Sequence, residues 1–264
     1  MLGLSGFSSD VRGNTLTEIS AARHDAADTP TSVTLDGGNT LAQAACKALR
    51  VDIIRGVRSP GERLRIEKLK TIYNVGPTPL REALQMLAAD QLVLAEGNRG
   101  FTVAPLDLNE FEDLNRARTA VETAALRLSI ANGGTDWEAA VVAASYVMKK
   151  EDAALLQAQD GVTDAWEQAN SAFHTAIVSA CGSKWLLRVR RGLHDQCERY
   201  RRASVYRKLG ERDLNAEHQA ITEAALARNV DLACELTERH FALTASLLSD
   251  ATSGLAAHRG GSTG

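Results

Sequence analysis

The chain has no run of about 18 uncharged apolar residues, so no membrane span is expected. Residues 1–38 lack a basic start followed by an apolar stretch, and no secretory leader is expected. Cysteine is sparse. Cys46, Cys181, Cys197 and Cys234 show no CxxC spacing and all fall in helical-looking stretches. They read as free thiols, buried or half-buried, in a reducing cytoplasm. No internal repeat occurs, and no heptad seam is long enough for a coiled coil. Integral membrane proteins, disulfide-stapled secreted domains and solenoids are thus set aside.

What is present suits one or two folded domains. The 264 residues are 44% hydrophobic and 24% charged, enough to bury a core. The net charge of −3 is unevenly placed. Residues 39–105 hold ten Lys/Arg against six Asp/Glu, whereas residues 106–264 hold eighteen against twenty-two. Such asymmetry fits a basic segment facing nucleic acid and a second segment with another task.

Residues 1–38, rich in Ser, Thr, Gly, Ala and Asp, read as a loosely held or disordered tail, and residues 251–264 as another. Between them the chain reads as mainly α. Helices are predicted over 41–55, 66–73 and 79–89, the last with Thr78 as N-cap and Pro79 at its first position. Asn74-Val75-Gly76 separates the second from the third, a helix-turn-helix spacing. Two short strands, 92–96 and 101–104, flank Gly97-Asn98-Arg99-Gly100 and form a hairpin, so residues 39–105 read as a winged helix-turn-helix of three helices plus a β-hairpin. Residues 106–250 read as an antiparallel all-α bundle of six or seven helices, with predicted spans 107–131, 136–150, 163–180, 183–209, 211–227 and 231–249.

The second helix of such a motif enters the major groove of duplex DNA. Its first turn carries Thr78, Leu80 and Arg81. Arg81 is the candidate base reader, because guanidinium pairs bidentately with guanine, and Thr78 suits a phosphate. Arg65, Lys68 and Lys70 could neutralise backbone charge, and Arg99 and Gly100 sit at the wing tip. A solvated surface arginine is the plainer alternative for Arg81.

Ile54-Arg55-Gly56, Pro60-Gly61-Glu62-Arg63-Leu64, Pro79-Leu80-Arg81-Glu82-Ala83-Leu84, Leu87 and Arg99-Gly100-Phe101-Thr102-Val103 together resemble the GntR family of bacterial transcription regulators. The chain departs in the turn, where Gly76-Pro77-Thr78 stands in place of the family's usual Ser-Arg-Thr. That removes one specificity arginine and shifts base reading toward Arg81 and Thr78.

Three histidines are of interest: His174, His218 and His240, on three different predicted helices, could meet inside a bundle. Their separations form no local ligand motif, so scattered, unrelated histidines are the plainer alternative. His194 shows no obvious partner. The second domain resembles the FCD sensor domain of the FadR-like subfamily, through Arg116-Ala117-Arg118 with Glu122, Asn170 with Phe173-His174, Glu217-His218, and Asp231 with Ala233 before His240. The resemblance implies a divalent transition metal held by Asn170, His174, His218 and His240, zinc foremost, with nickel, manganese or iron as alternatives. Asn170 stands where the family often has Asp. Arg118 resembles the family's effector-facing arginine, which implies a small carboxylate effector between it and the metal; a helix-surface salt bridge to Glu122 is the alternative. The resemblance further implies a cytoplasmic homodimer on double-stranded operator DNA, acting as a repressor and not as an enzyme. An architectural DNA-binding protein with a structural metal, and a helical metal-dependent enzyme, are the competing readings.

Overall fold

The computed structural model describes residues 29–35, 37–97, 100–157, 162–203 and 212–259. Most of residues 1–38, the wing-tip Arg99 and the last five residues lie outside the described residues. Within them, α1 spans Leu41–Arg55, β1 Arg63–Leu64, α2 Ile66–Tyr73, α3 Pro77–Ala89, β2 Val93–Ala95 and β3 Phe101–Val103. Six helices follow: α4 Leu108–Asn132, α5 Thr135–Gln157, α6 Asp164–Val178, α7 Lys184–Ala203, α8 Leu214–Leu226 and α9 Val230–Arg259. The mainly-α winged helix-turn-helix followed by a helical bundle is as expected. No helix among the described residues is long and apolar enough to cross a membrane.

Local chemistry sets the first domain. Thr40 caps α1 in a capping box with Gln43, and Gly56 ends it at φ 85°, a left-handed backbone open to glycine without a Cβ penalty. α1, α2 and α3 close over a core of Leu49, Ile53, Leu69, Leu80, Leu84 and Leu87. The sheet order is β1-β3-β2, antiparallel throughout. β1 is only two residues long, too short to leave a periodic signal, and was not expected.

Several boundaries differ from expectation; α5, for one, runs to Gln157, seven residues beyond its predicted end. α3 begins at Pro77 with Gly76 as its N-cap, so Thr78 is a second-position residue and caps nothing. Neither Pro77 nor Pro79 breaks the helix, because the first N–H groups have no intrahelical acceptor. At the C-terminus α9 runs on through Arg259, ten residues beyond the predicted end, because ATSGLAA contains no proline and is rich in helix-forming alanine. Near the start, residues 29–35 are not loose: the Thr31 amide and hydroxyl donate to buried Asp52 on α1 at 3.0 and 2.6 Å, and Tyr73 donates to the same carboxylate. Asp52 is thus a buried acceptor with three donors.

The bundle has its own core, including Leu126, Trp137, Val141, Met148, Trp166, Phe173, Ile177 and Ile221. It also touches the first domain through α7. Arg50 on α1 donates to Asp195 at 3.0 Å and pairs with Asp90, Gln196 Nε2 donates to the Asp90 carbonyl at 3.0 Å, and Arg199 donates to the Ala104 carbonyl.

Candidate functional site

The residues expected to face DNA lie at the surface of the first domain where the structure describes them. Arg65 and Lys68 are exposed on and before α2, and Thr78 and Arg81 are exposed in the first turn of α3. Leu80, in the same turn, is fully buried and belongs to the core. Gly100 opens β3 at φ 100°, a backbone that a side chain would strain.

The three histidines converge. His174 comes from α6, His218 from α8 and His240 from α9, with ring centroids 5.9, 5.3 and 4.8 Å apart. One nitrogen from each lies within 4.8 Å of the others, and all three side chains are buried. Asn170 is buried one turn before His174 on α6.

Two of the imidazoles are oriented by carboxylates. Asp152 on α5 sits 2.7 Å from His218 Nδ1 and also accepts from Trp166 Nε1 at 2.9 Å, while His218 Nε2 has no hydrogen-bond partner. Because the carboxylate accepts at Nδ1, the Nε2 lone pair is left free. Glu217 does the same for His240 Nδ1 at 2.8 Å and is itself clamped by Arg212 at 2.6 and 2.7 Å. Burial pushes the Glu217 carboxyl up, but the Arg212 and His240 hydrogen bonds outweigh it and hold it at about 2. Burial, the His218 ring and Arg212 lower His240 to about 3 against the pull of Glu217. Burial foremost, then His240 and Arg118, hold His174 well below the usual imidazole range. His174 and His240 are therefore held as neutral imidazoles, the form that ligates metals.

These residues fit a divalent cation. Three imidazoles with two outer carboxylates are a donor set for zinc, nickel or iron. The orphaned His218 Nε2, and His174 with both nitrogens unpaired, are otherwise unexplained in a buried setting.

Beside the imidazoles lies a second polar group. Arg118 on α4 stacks 3.9 Å over Phe241, whose ring lies 5.3 Å from His174, and its Nε and Nη2 have no partner. Arg118 is not on the surface and does not hydrogen-bond Glu122, so the simple helix-surface pair is corrected. Glu122 is fully buried and instead meets Arg190 Nε of α7 at 2.9 Å. That contact is off-axis for a hydrogen bond, so both partners keep unused capacity. His194, also on α7 and set aside on sequence, is buried with both ring nitrogens unpaired. Burial and the nearby Arg118, Arg201 and Arg190 hold it well below the usual imidazole range. Asp152, Arg190 and His194 were missed; only the buried setting reveals them, although the i, i+4 spacing of Arg190 and His194 placed them on one face.

Comparison with known proteins identifies both domains. Residues 41–103 match the bacterial regulatory proteins, gntR family, and residues 113–243 match the FCD domain. The chain is 36% identical to the HTH-type transcriptional regulator BphR of Paraburkholderia xenovorans, over 84% of this chain and 96% of that one. It is 38% identical to the HTH-type transcriptional repressor GlaR of Escherichia coli, over 78% and 94% respectively. In fold it is similar to a transcriptional regulator of GntR type from Rhodococcus sp. RHA1, with TM-score 0.65, 22% identity and coverage of 79% and 97%. The chain belongs to the GntR family, a transcription regulator and not an enzyme, with a DNA-binding helix-turn-helix followed by an FCD ligand-binding domain.

Proposed function

We propose that this protein is a homodimeric repressor whose hold on operator DNA is set by a small carboxylate bound at a metal in the FCD domain. The observation that carries the reading is the concentration of unpaired buried polar atoms. Among the described residues, all but one of them belong to Arg118, Glu122, His174, Arg190, His194 and His218. Native interiors satisfy such groups, so a cluster of this kind signals a polar occupant.

His174, His218 and His240 would hold the metal, zinc foremost, with the buried Asn170 amide as a further, neutral oxygen donor. A bound divalent cation supplies a fixed positive charge that anchors a carboxylate. The chain's own residues do the rest: Asp152 and Glu217 orient the rings, Arg118 pairs with the carboxylate, and the surrounding helices exclude water. On the DNA side, Arg81 reads a base edge while Arg65, Lys68 and Thr78, with Arg99 and Gly100 of the wing, bind phosphates or the groove. Two copies of α3 related by a two-fold axis suit half-sites about one helical turn apart. Repression follows from the likeness to GlaR, a named repressor.

α7 supplies the physical link. Arg190, His194, Cys197 and Arg201 recur at helical spacing and face the polar interior, while Asp195 and Arg199 face the first domain. A ligand that moves Arg190 or His194 therefore moves the contacts to Arg50 and Ala104.

The test is His218→Ala in the full chain, followed by metal analysis and carboxylate titration. Metal content and carboxylate response should both fall while basal DNA affinity stays within about twofold, since no DNA-facing residue is touched. Unchanged metal retention would overturn the ligand assignment. Retained metal binding in the wild type with no carboxylate response would favour a structural metal in an architectural protein.

A further inference from the structure

The match to the gntR family begins at residue 41 and leaves out the segment before α1. Residues 29–35 are nonetheless attached to the first domain through Val33 and Thr31. Val33 packs on the core that contains Tyr73 and Val75, and Thr31 reaches Asp52 on α1. Asp52 is fully buried, where a carboxylate is strongly unfavourable without donors. Its donors are the Thr31 amide at 3.0 Å, the Thr31 hydroxyl at 2.6 Å and the Tyr73 phenol. Arg58, whose amide donates to the Asp52 carbonyl, sends its guanidinium to Glu62 at 3.0 Å.

Two of these donors come from Thr31, and the third belongs to the last residue of α2. Asn74 follows at once in the left-handed region at φ 51°, and Gly76 caps α3. Withdrawing the segment leaves the carboxylate with the Tyr73 phenol alone, so water must enter between α1 and α2 to solvate it. Tyr73 shares that carboxylate, and the turn leading into α3 loosens with it. We propose that residues 29–35 are a strap that sets the recognition helix, with Thr31 and Asp52 as positioning residues for DNA reading. The role rests on α3 being the reading helix. Only the strapped state holds Arg81 and Thr78 in place, so DNA affinity falls with the strapped fraction.

The experiment compares Thr31→Asp, Thr31→Val and Thr31→Ser in the full chain. Affinity is measured for a duplex recovered by selection from random DNA, and amide hydrogen exchange is followed in the DNA-free protein. Thr31→Asp sets a second carboxylate against Asp52 and should expel the strap. Its DNA affinity should fall at least about tenfold, the value of a lost hydrogen bond to a charged group. Exchange at residues 73–76 should quicken more than exchange in the middle of α1 and α3. Thr31→Ser keeps the hydroxyl and should stay within about twofold of wild type. Thr31→Val lacks it and should fall between the two, which keeps the test open if Thr31→Asp misfolds. Wild-type DNA affinity in Thr31→Asp, or in Thr31→Val where only that variant folds, overturns the positioning role, even if exchange quickens. Weaker binding with unchanged exchange at residues 73–76 overturns the route through Tyr73. Exchange that quickens equally along α1 and α3 marks general destabilisation and overturns the role as well. Loss of base preference in Arg81→Ala, with none in any Thr31 variant, leaves the reading by α3 intact and removes the strap alone.

Discussion

Replacing Asp152 by Asn is the sharpest perturbation of the metal centre that leaves every proposed ligand in place. The Asp152 carboxylate accepts from two donors, His218 Nδ1 at 2.7 Å and Trp166 Nε1 at 2.9 Å, and is buried with both. An amide has one oxygen, so one donor must face an NH2 group. That loss in a buried site costs about 1–3 kcal/mol of folding stability. The ring also loses the partner that fixes its tautomer, which weakens metal binding about 10- to 100-fold, or about 1.4–2.7 kcal/mol. Zinc affinity is measured by competition with a chelator near neutral pH, and stability by denaturant unfolding of the metal-free chain. The expected outcome is a fall in both. Wild-type zinc affinity in the destabilised variant would refute the reasoning, because Asp152 would then serve only as a packing acceptor and His218 would not be a ligand.

Tyr73→Phe provides the control in the other domain: it takes one donor from the buried Asp52 carboxylate and should lower stability by about 1–3 kcal/mol without changing zinc affinity. Burial first, and then Asp52, raise the Tyr73 phenol well above its usual range. Its folded pKa therefore exceeds the unfolded one, so its contribution is complete below about pH 10 and declines as pH rises past that point, a loss the Phe variant should not show on alkaline titration. Arg81→Ala should reduce discrimination at one operator base pair by about 1–3 kcal/mol, read by competition between single-base variants of a selected site; full discrimination would count against the placement of α3 in the groove. Asp195→Ala removes an Arg50 partner at the junction between α1 and α7. Carboxylate binding should persist while its effect on DNA affinity shrinks; an unchanged effect would show that α7 does not carry the coupling.

Much of the first domain was legible because its signals are local. Gly56 ends α1, Asn74-Val75-Gly76 separates α2 from α3, and Gly100 turns the wing, each dictated by backbone conformations that those residues favour. The exact start of α3 was not, since Pro77 and Pro79 are both compatible with a first helical turn and only the flanking geometry chooses between them. The convergence of His174, His218 and His240 was visible only as a possibility, because 44- and 22-residue separations say nothing about bundle topology. Asp152 was invisible: a lone acid near the end of a helix with no motif becomes meaningful only when α5 brings it to α8. His194 was overlooked for a related reason. Its importance lies in having no hydrogen-bond partner in a buried place, which spacing alone does not show.

Linkage offers the most direct trial of the whole account. Carboxylate affinity of the zinc-loaded full chain is measured twice, alone and saturated with a duplex recovered by selection from random DNA, at one salt concentration. If a histidine-lined interior governs the grip of α3, the two affinities must differ, by about 5- to 150-fold for ordinary allosteric coupling. Identical carboxylate affinity with and without the duplex would contradict it.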